Sequence, residues 1–241
     1  MTVDVVLLPA HLVEGSLAGK SVVVFDVLRA TTSITAALAV GVRSIRAFAS
    51  LDDALAAANK VNPRPLLCGE AHTVAPPGFD LGNSPRQFTT AHAGRDVYLA
   101  TTNGTKALAA SRSAAALFCG ALVNAGLAAR AVASRGNDIV LLGSGTDGRI
   151  SLEDTLGAGA VCNALVQNGA ATLASDMAII ARRLFLEARK DLPGALRDGQ
   201  GGHNVIKAGL EPDIDFAARL DVIDVVGEVD TADLVIKPWH A

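Results

Sequence analysis

The chain has 241 residues, of which half are apolar, and its formal net charge is −3. This length is enough to bury a sizeable core, whereas the acidic balance and the single Trp and Tyr argue against broad nucleic-acid binding and against stacking on single strands. No apolar run approaches the roughly 18–20 residues of a membrane-spanning helix, so we expect one domain over residues 1–241 and no membrane partner.

Short β-branched runs alternate with Ala- and Leu-rich stretches, which is typical of α/β proteins. In the first part of the chain, strands are predicted at 22–25, 44–49 and 65–68, and helices at 33–40 and 51–59. Ser50 is expected to cap the second helix, because its hydroxyl can accept a bond from a free N–H group of the first turn. Residues 71–91 show no clear period and are predicted to form a long loop, which in a compact domain is often functional or disordered.

The second part continues this alternation. Strands are predicted at 97–100, 114–119, 139–142 and 171–174, helices from 151 onward and over 177–192, and a helix followed by a last strand over 214–229. Ser151 and Asp154 have a spacing close to that of a capping box. The segment RDGQGGHN (197–204) is predicted to be a glycine-rich loop. FDVLRATTSITAAL and LATTNGTKALAA share the order strand, Thr-Thr turn and helix, which is compatible with two similar halves.

Two features favour a cytoplasmic location. The three cysteines, Cys68, Cys119 and Cys162, are widely spaced and odd in number, which suits a reducing compartment better than a disulfide framework. The first residues, MTVDVVLLPAHLVEG, contain an acid and no basic n-region, so we expect no secretory signal.

Polar residues accumulate where the predicted strands end. Ligands of parallel α/β sheets bind outside the carboxyl ends of the strands, where the following helices present free N–H groups. The residues found at these positions are Asp26, Arg29, Thr31, Thr32, Glu70, Thr101 to Lys106, Asn124, Glu153 and Asp154.

These residues are suited to phosphoryl chemistry. The turn TTNGT (101–105) offers hydroxyls, an amide and backbone N–H groups to a phosphate, and Arg29 and Lys106 add positive charge. Carboxylates suit a hard divalent cation such as Mg²⁺. The candidate carboxylates are Asp26, Glu70, Asp80, Glu153 and Asp154.

Ordinary structural roles are the alternatives. The TTNGT residues could be turn and capping residues only. Glu153 and Asp154 fall in a predicted first helical turn, where the helix dipole favours acids in any case. Arg29 could form a surface ion pair.

A dinucleotide site is a further alternative. GSGTDG (143–148) matches GxGxxG after a strand. However, the predicted helix cap at Ser151 follows the motif, whereas a Rossmann helix begins within it.

Several stretches together resemble the 2-phosphosulfolactate phosphatases (ComB-like proteins). They are VVVFDVLRATTSI (22–34), CGE (68–70), GFDLGNSP (78–85), TTNGT (101–105), GALVNAGLAA (120–129) and SLEDTLGAG (151–159). They occur in the family's order over about residues 5–230, and the combination is specific whereas any one stretch is not. The segment 197–204 departs from the Ser- and Gly-containing loop expected there, so the identity of the substrate is left open.

The resemblance implies a three-layer α/β/α fold with a mostly parallel or mixed sheet. It implies a Mg²⁺-dependent acid phosphatase that converts 2-phosphosulfolactate to 3-sulfolactate in coenzyme M biosynthesis. The expected partner is a small anionic phosphorylated substrate, and a homodimer is left open. Two other functions are kept: a non-catalytic protein that binds a phosphate or sulfonate metabolite, and an NAD(P)-dependent enzyme that uses GSGTDG.

The expected site combines catalytic, metal-binding and substrate-binding residues. Catalytic roles are expected for Asp26, Arg29, Glu153 and Asp154, and metal binding for Asp26, Glu70, Asp80 and Asp154. Substrate or phosphate binding is expected for Thr31, Thr32, Asn83, Ser84, Thr102, Asn103, Gly104, Thr105 and Asn124. Whether the nucleophile is water or a carboxylate such as Asp26 is left open.

Overall fold

The computed structural model of the chain describes residues 1–71 and 73–240. The strands are β1 (Thr2–Val6), β2 (Ser21–Phe25), β3 (Ser44–Phe48), β4 (Leu66–Gly69), β5 (Asp96–Ala100), β6 (Ala116–Gly120), β7 (Ile139–Gly143), β8 (Thr172–Leu173), β9 (Gly227–Val229) and β10 (Val235–Pro238). The helices are α1 (Ala30–Ala39), α2 (Leu51–Ala58), α3 (Gly104–Ala110), α4 (Ala125–Ala133), α5 (Leu152–Gln167), α6 (Asp176–Ala188), α7 (Leu192–Asp198), α8 (Gln200–Lys207) and α9 (Glu211–Ala217). Within these described residues, no helix is both long and apolar enough to cross a membrane.

Most predicted elements are confirmed, with their ends shifted by one to a few residues. The Ser50 hydroxyl accepts a bond from the Asp53 N–H group at 3.1 Å, so the predicted cap of α2 is also confirmed. The predicted loop over 71–91 contains only short 3-10 turns and isolated bridges in its described part, and His72 lies outside the described residues. Strands β1 and β10 were missed, and the helix predicted over 177–192 ends at Ala188.

The prediction of a glycine-rich loop over 197–204 is wrong. Helix α7 ends at Asp198 and α8 begins at Gln200. A Cβ atom on Gly201 would overlap the Glu153 carboxylate, and one on Gly202 would overlap the Leu196 carbonyl. Close packing accounts for these glycines, and a local sequence pattern does not distinguish this cause from a turn.

The sheet consists of two parallel blocks that run in opposite directions. Its order is β4-β5-β3-β10-β9-β6-β2-β7-β1-β8. The strands pair in parallel within β4-β5-β3 and within β6-β2-β7-β1-β8, whereas the pairings β3–β10, β10–β9 and β9–β6 are antiparallel. Three reversals make β5 antiparallel to β2. In a flat sheet, the carboxyl ends of these two strands would therefore lie at opposite edges.

The turns that follow these strands nevertheless meet. Gly104, at the start of the helix after β5, lies against Asp26, after β2: a Cβ atom on Gly104 would be 2.7 Å from Asp26 Oδ2. Glu70, after β4, lies 3.1 Å from Arg29. These contacts join turns that the strand directions alone would separate.

The core lies on both faces of the sheet. Val23 and Phe25 of β2 pack in one layer with α4, α5 and α6, whereas Val22 and Val24 pack in the other with α1 and α3. Successive side chains of a strand point to opposite faces, so β2 is buried along its whole length because both faces are covered. These layers confirm the expected three-layer α/β/α fold.

Candidate active site

A cleft of about 740 Å³ opens where the carboxyl ends of β4 and β5 meet the turn after β2. This volume is typical of small-molecule sites. The turn after β7 and one face of α8 complete the wall. The polar and charged side chains that line it include Arg29, Ser50, Glu70, Thr73, Thr101, Thr102, Asn103, Lys106, Thr146, Asp147, Asn204 and Lys207.

In the TTNGT turn, the first and last threonines bind each other, and the two residues after the first threonine line the cleft. The Thr105 N–H group donates to Thr101 Oγ1 at 3.3 Å, and Thr105 Oγ1 donates to the Thr101 carbonyl at 2.9 Å. Thr101 and Thr105 are buried, whereas Thr102 is exposed and Asn103 half-buried. Thr102 and Asn103 therefore remain available to a ligand, while Thr105 has the structural role that the turn alternative proposed.

Asp26 lies in the turn between β2 and α1. Its Oδ1 accepts a bond from the Ala30 N–H group at 3.1 Å, and its Oδ2 faces Gly104 of the TTNGT turn. Burial, followed by the charges of Glu70 and Glu153, raises the pKa of Asp26 to about 7. A carboxylate of this kind would be stabilised by a nearby cation.

Thr31, Thr32 and Asn124 hold the chain in place and are not open to a ligand. Thr31 Oγ1 accepts a bond from the Asp26 N–H group at 3.0 Å, and Thr32 Oγ1 donates to the Val27 carbonyl at 2.7 Å. The Asn124 amide accepts a bond from Ala121 and donates to Thr35 and the Val225 carbonyl. All three side chains are almost completely buried, so the structure gives them a different role from the expected substrate binding.

Asp154 joins two strand-end turns. Its Oδ1 accepts a bond from the Val27 N–H group at 2.9 Å, and its Oδ2 accepts bonds from Ser144 and Gly145 at 3.0 and 2.9 Å. Burial, with the charges of Asp26 and Glu153, raises the pKa of Asp154, and the backbone bonds act in the opposite sense. Both oxygens are engaged, so this carboxylate clamps the turn after β2 to the turn after β7.

Glu153 is buried against α8. Its Oε1 accepts a bond from Ser151 Oγ at 2.7 Å, while Oε2 has no hydrogen-bond partner in the described part of the chain. The predicted capping box is wrong, because the Ser151 hydroxyl binds Glu153 and makes no cap bond. Burial raises the pKa of Glu153, and Gly199, just before α8, and Gly201 of α8 lie against its carboxylate.

Arg29 is the centre of a buried ionic network. It donates to Asp213 at 2.9 Å, to Glu70 at 3.1 Å and to the Thr73 carbonyl at 2.6 Å. Asp213 also accepts a bond from Ser84 Oγ at 2.7 Å. Asp213 was missed by the sequence analysis, because in the stretch EPDIDF it resembles any acid in a first helical turn.

The loop motif GFDLGNSP divides between two places. Ser84 joins the network of Arg29 and Asp213, and the Asn83 amide beside it is buried, with no hydrogen-bond partner among residues 1–71 and 73–240. Asp80 lies elsewhere: it pairs with Arg64 and accepts a bond from the Leu67 N–H group in the first half of β4. Glu70 follows the other end of that strand, so the structure does not bring Asp80 to the site expected of it.

The carboxylates near the cleft have the right chemistry for Mg²⁺. Nowhere in the described ranges are three His, Cys, Asp or Glu side chains arranged to hold a metal ion. Mg²⁺, however, usually binds through one or two carboxylates, with waters and substrate phosphates completing its shell. The charge of Glu70 raises the pKa of Asp26, and both side chains offer carboxylate oxygens, the type of ligand that Mg²⁺ prefers.

The GSGTDG motif forms a tight turn. Thr146 and Arg149 exchange backbone hydrogen bonds of 2.9 and 3.0 Å, and Gly145 has a φ of 73° in a place where a Cβ atom would overlap Leu8. Helix α5 begins at Leu152, after the motif. The glycines therefore serve the turn, and the motif lacks the helix start of a dinucleotide site.

The chain is similar to known proteins over nearly its whole length. A model of the 2-phosphosulpholactate phosphatase family matches residues 6–232. A probable 2-phosphosulfolactate phosphatase of Carboxydothermus hydrogenoformans is 38% identical over 240 residues, which are 98% of this chain and 98% of the relative. The corresponding protein of Gloeobacter violaceus is 37% identical, over 98% of this chain and 99% of its own. The chain therefore belongs to the 2-phosphosulpholactate phosphatase family.

Proposed function

We propose that this protein is a Mg²⁺-dependent phosphatase of the cytoplasm that hydrolyses 2-phosphosulfolactate, or a similar small phosphorylated acid, to 3-sulfolactate and phosphate. The names of its relatives support the substrate. The observation that carries the proposal is the contact between Gly104 of the TTNGT turn, whose Thr102 and Asn103 line the cleft, and the Asp26 carboxylate. A turn suited to phosphate and a carboxylate suited to a cation lie side by side, which supports phosphoryl chemistry.

The phosphoryl group is expected to bind at the open centre of the TTNGT turn. Thr102, Asn103 and Lys106 line the cleft there and offer a hydroxyl, an amide and an ammonium group to phosphate oxygens. Donors held in place before the substrate arrives stabilise charge that develops during reaction. Arg29 lines the same cleft, but its guanidinium group is already paired with Asp213 and Glu70.

Asp26 and Glu70 are the carboxylates we expect to hold Mg²⁺. Bound Mg²⁺ would polarise the phosphoryl group and lower the pKa of a bound water. Asp154 is the less suitable ligand, because its two oxygens already accept three backbone bonds. Its expected contribution is to fix the turns that carry Asp26 and Thr146.

The test is phosphate release from 2-phosphosulfolactate and a panel of small phosphorylated acids, with Mg²⁺ and with EDTA. Wild type should release phosphate only with Mg²⁺, and Asp26→Asn should lose at least about 100-fold in kcat, the lower end of the range for a lost catalytic group. Asp215→Asn, a surface acid that pairs with Arg197, is the matched control and should retain activity. Absence of release from every compound by the folded wild type would contradict the proposal and favour a binding protein.

Rapid-quench labelling addresses the nucleophile. A phosphate trapped on Asp26 would indicate a covalent route, whereas direct transfer to water leaves no labelled protein at any quench time.

A further inference from the structure

The positively charged side chains of the cleft differ in whether they form ion pairs with carboxylates of the protein. Arg29 is paired with two carboxylates, those of Asp213 and Glu70, and its side chain is only 2% exposed. A guanidinium with two carboxylate partners offers little net attraction to a further anion. Arg29 is therefore poorly suited to hold a second acidic group of the substrate.

The two lysines of the cleft are in the opposite situation. Lys106 and Lys207 both line the cavity. Within the described residues, neither has a carboxylate within ion-pair distance. Lys106 belongs to the TTNGT turn and its helix, which we assign to the phosphoryl group, and Lys207 lies at the end of α8.

Helix α8 presents a defined face to this cavity. Gly201, Asn204, Val205 and Ala208 line it at helical spacing, and Val205 is buried. Gln200 donates to the Asn204 amide oxygen at 2.9 Å. The amide oxygen of Asn204 accepts this bond, and its two N–H groups remain as donors. An anion accepts hydrogen bonds from such donors.

We propose that Lys207, assisted by Asn204, binds an acid group of the substrate other than the phosphate, its sulfonate or its carboxylate, and so determines specificity for phosphorylated acids over simple phosphate esters. This inference rests on the proposed function. It assigns the phosphoryl group to the α3 side of the cleft and the acid group to the α8 side. Because Asp213 and Glu70 already pair with Arg29, the acid group of the substrate is expected to bind Lys207 and not Arg29.

The test compares a substrate that carries acid groups besides the phosphate with one that carries none. For 2-phosphosulfolactate, Lys207→Gln should lower kcat/KM about 10- to 100-fold, the range expected for a lost hydrogen bond to a charged group. For isopropyl phosphate, which carries no second acid, the same variant should change kcat/KM less than about twofold. Lys106→Gln should impair both substrates, Lys207→Arg should restore part of the discrimination, and Lys60→Gln, an exposed lysine outside the cleft, should match wild type. Equal loss on both substrates in Lys207→Gln, or no loss on either, would overturn the inference.

Binding of 3-sulfolactate separates this inference from the proposed function. Calorimetric titration of wild type and Lys207→Gln with 3-sulfolactate needs no turnover. Weaker binding in the variant supports the Lys207 site even if wild type releases no phosphate from any substrate. Unchanged binding in a variant of an active enzyme overturns the Lys207 site and leaves the phosphatase proposal intact.

Discussion

Arg29 and Asp213 form an ion pair of 2.9 Å, although 184 residues separate them in the chain and their side chains are only 2% and 1% exposed. The pair joins the turn after β2 to helix α9, and Ser84 of the long loop binds the same carboxylate. One acid of the C-terminal part thus fixes an arginine of the cleft and the loop beside it.

Removing this carboxylate charge should destabilise the protein. Asp213→Asn removes one of the two carboxylate partners of the buried Arg29 and leaves Glu70 as the other, so we expect it to lower the free energy of unfolding by about 1–3 kcal/mol. Asp215→Asn on the same helix, whose carboxylate is exposed, should change it by less than about 1 kcal/mol. Urea unfolding of both variants measures the difference, and equal stabilities would show that the Arg29–Asp213 pair contributes nothing.

Asp80 and Asp26 distinguish the site seen in the structure from the one expected from motifs. Motif resemblance makes both of them metal ligands, whereas the structure pairs Asp80 with Arg64 on an exposed surface. We therefore expect Asp80→Asn to keep its Mg²⁺ dependence and most of its kcat, and Asp26→Asn to lose both. Phosphate release against Mg²⁺ concentration measures this, and a large rise in the Mg²⁺ requirement of Asp80→Asn would restore Asp80 to the site.

Gly201 is expected to be intolerant of a side chain although it lies in a helix. In an exposed helix, Gly→Ala is stabilising by up to about 1 kcal/mol, but here the added Cβ atom would overlap the buried Glu153 carboxylate. Gly201→Ala should therefore lower the melting temperature by several degrees, about 1–3 kcal/mol of overpacking. Gln200→Ala, one residue earlier and exposed, is the control. Equal or higher stability of Gly201→Ala would mean that α8 does not pack on Glu153 as described.

Without metal, the protein should become less stable as the pH rises. The pKa of Asp26 is about 7 in the folded chain, against an ordinary value of 3.8. A raised pKa means that the folded state binds the proton more tightly, so the stabilisation is complete below pH 3.8 and is lost as the pH rises towards 7. Each pKa unit corresponds to about 1.4 kcal/mol, and Asp154 and Glu153 act in the same direction.

Chemical unfolding in EDTA at pH 5, 6, 7 and 8 measures this loss. The decrease in the free energy of unfolding with pH should be smaller in Asp26→Asn, which lacks the titrating carboxyl group. It should also be smaller in wild type with Mg²⁺, because a cation favours the charged carboxylate. A pH-independent stability in EDTA would be incompatible with this account of Asp26.

Local features of the chain predicted the elements of the fold and part of the site. Apolar runs and helical stretches predicted the strands and helices, because the spacing of apolar residues within one element depends on whether that element is a strand or a helix. The cap at Ser50 is likewise a contact over three residues. Of the residues expected at the site, Gly104 of the TTNGT turn lies against Asp26, and Arg29 pairs with Glu70.

Tertiary structure decided which of these residues are free to act. The sheet reverses direction between its two blocks, and Gly104 nevertheless meets Asp26, a contact that the order of the elements in the chain does not predict. Asp154 is engaged by backbone groups of two turns, Asp80 is drawn to Arg64, and Asp213 reaches Arg29 from the far end of the chain. The sequence alone determined the alternation of elements and the residue types of the cleft. Only the folded chain determined their partners, because those contacts join segments that no local pattern relates.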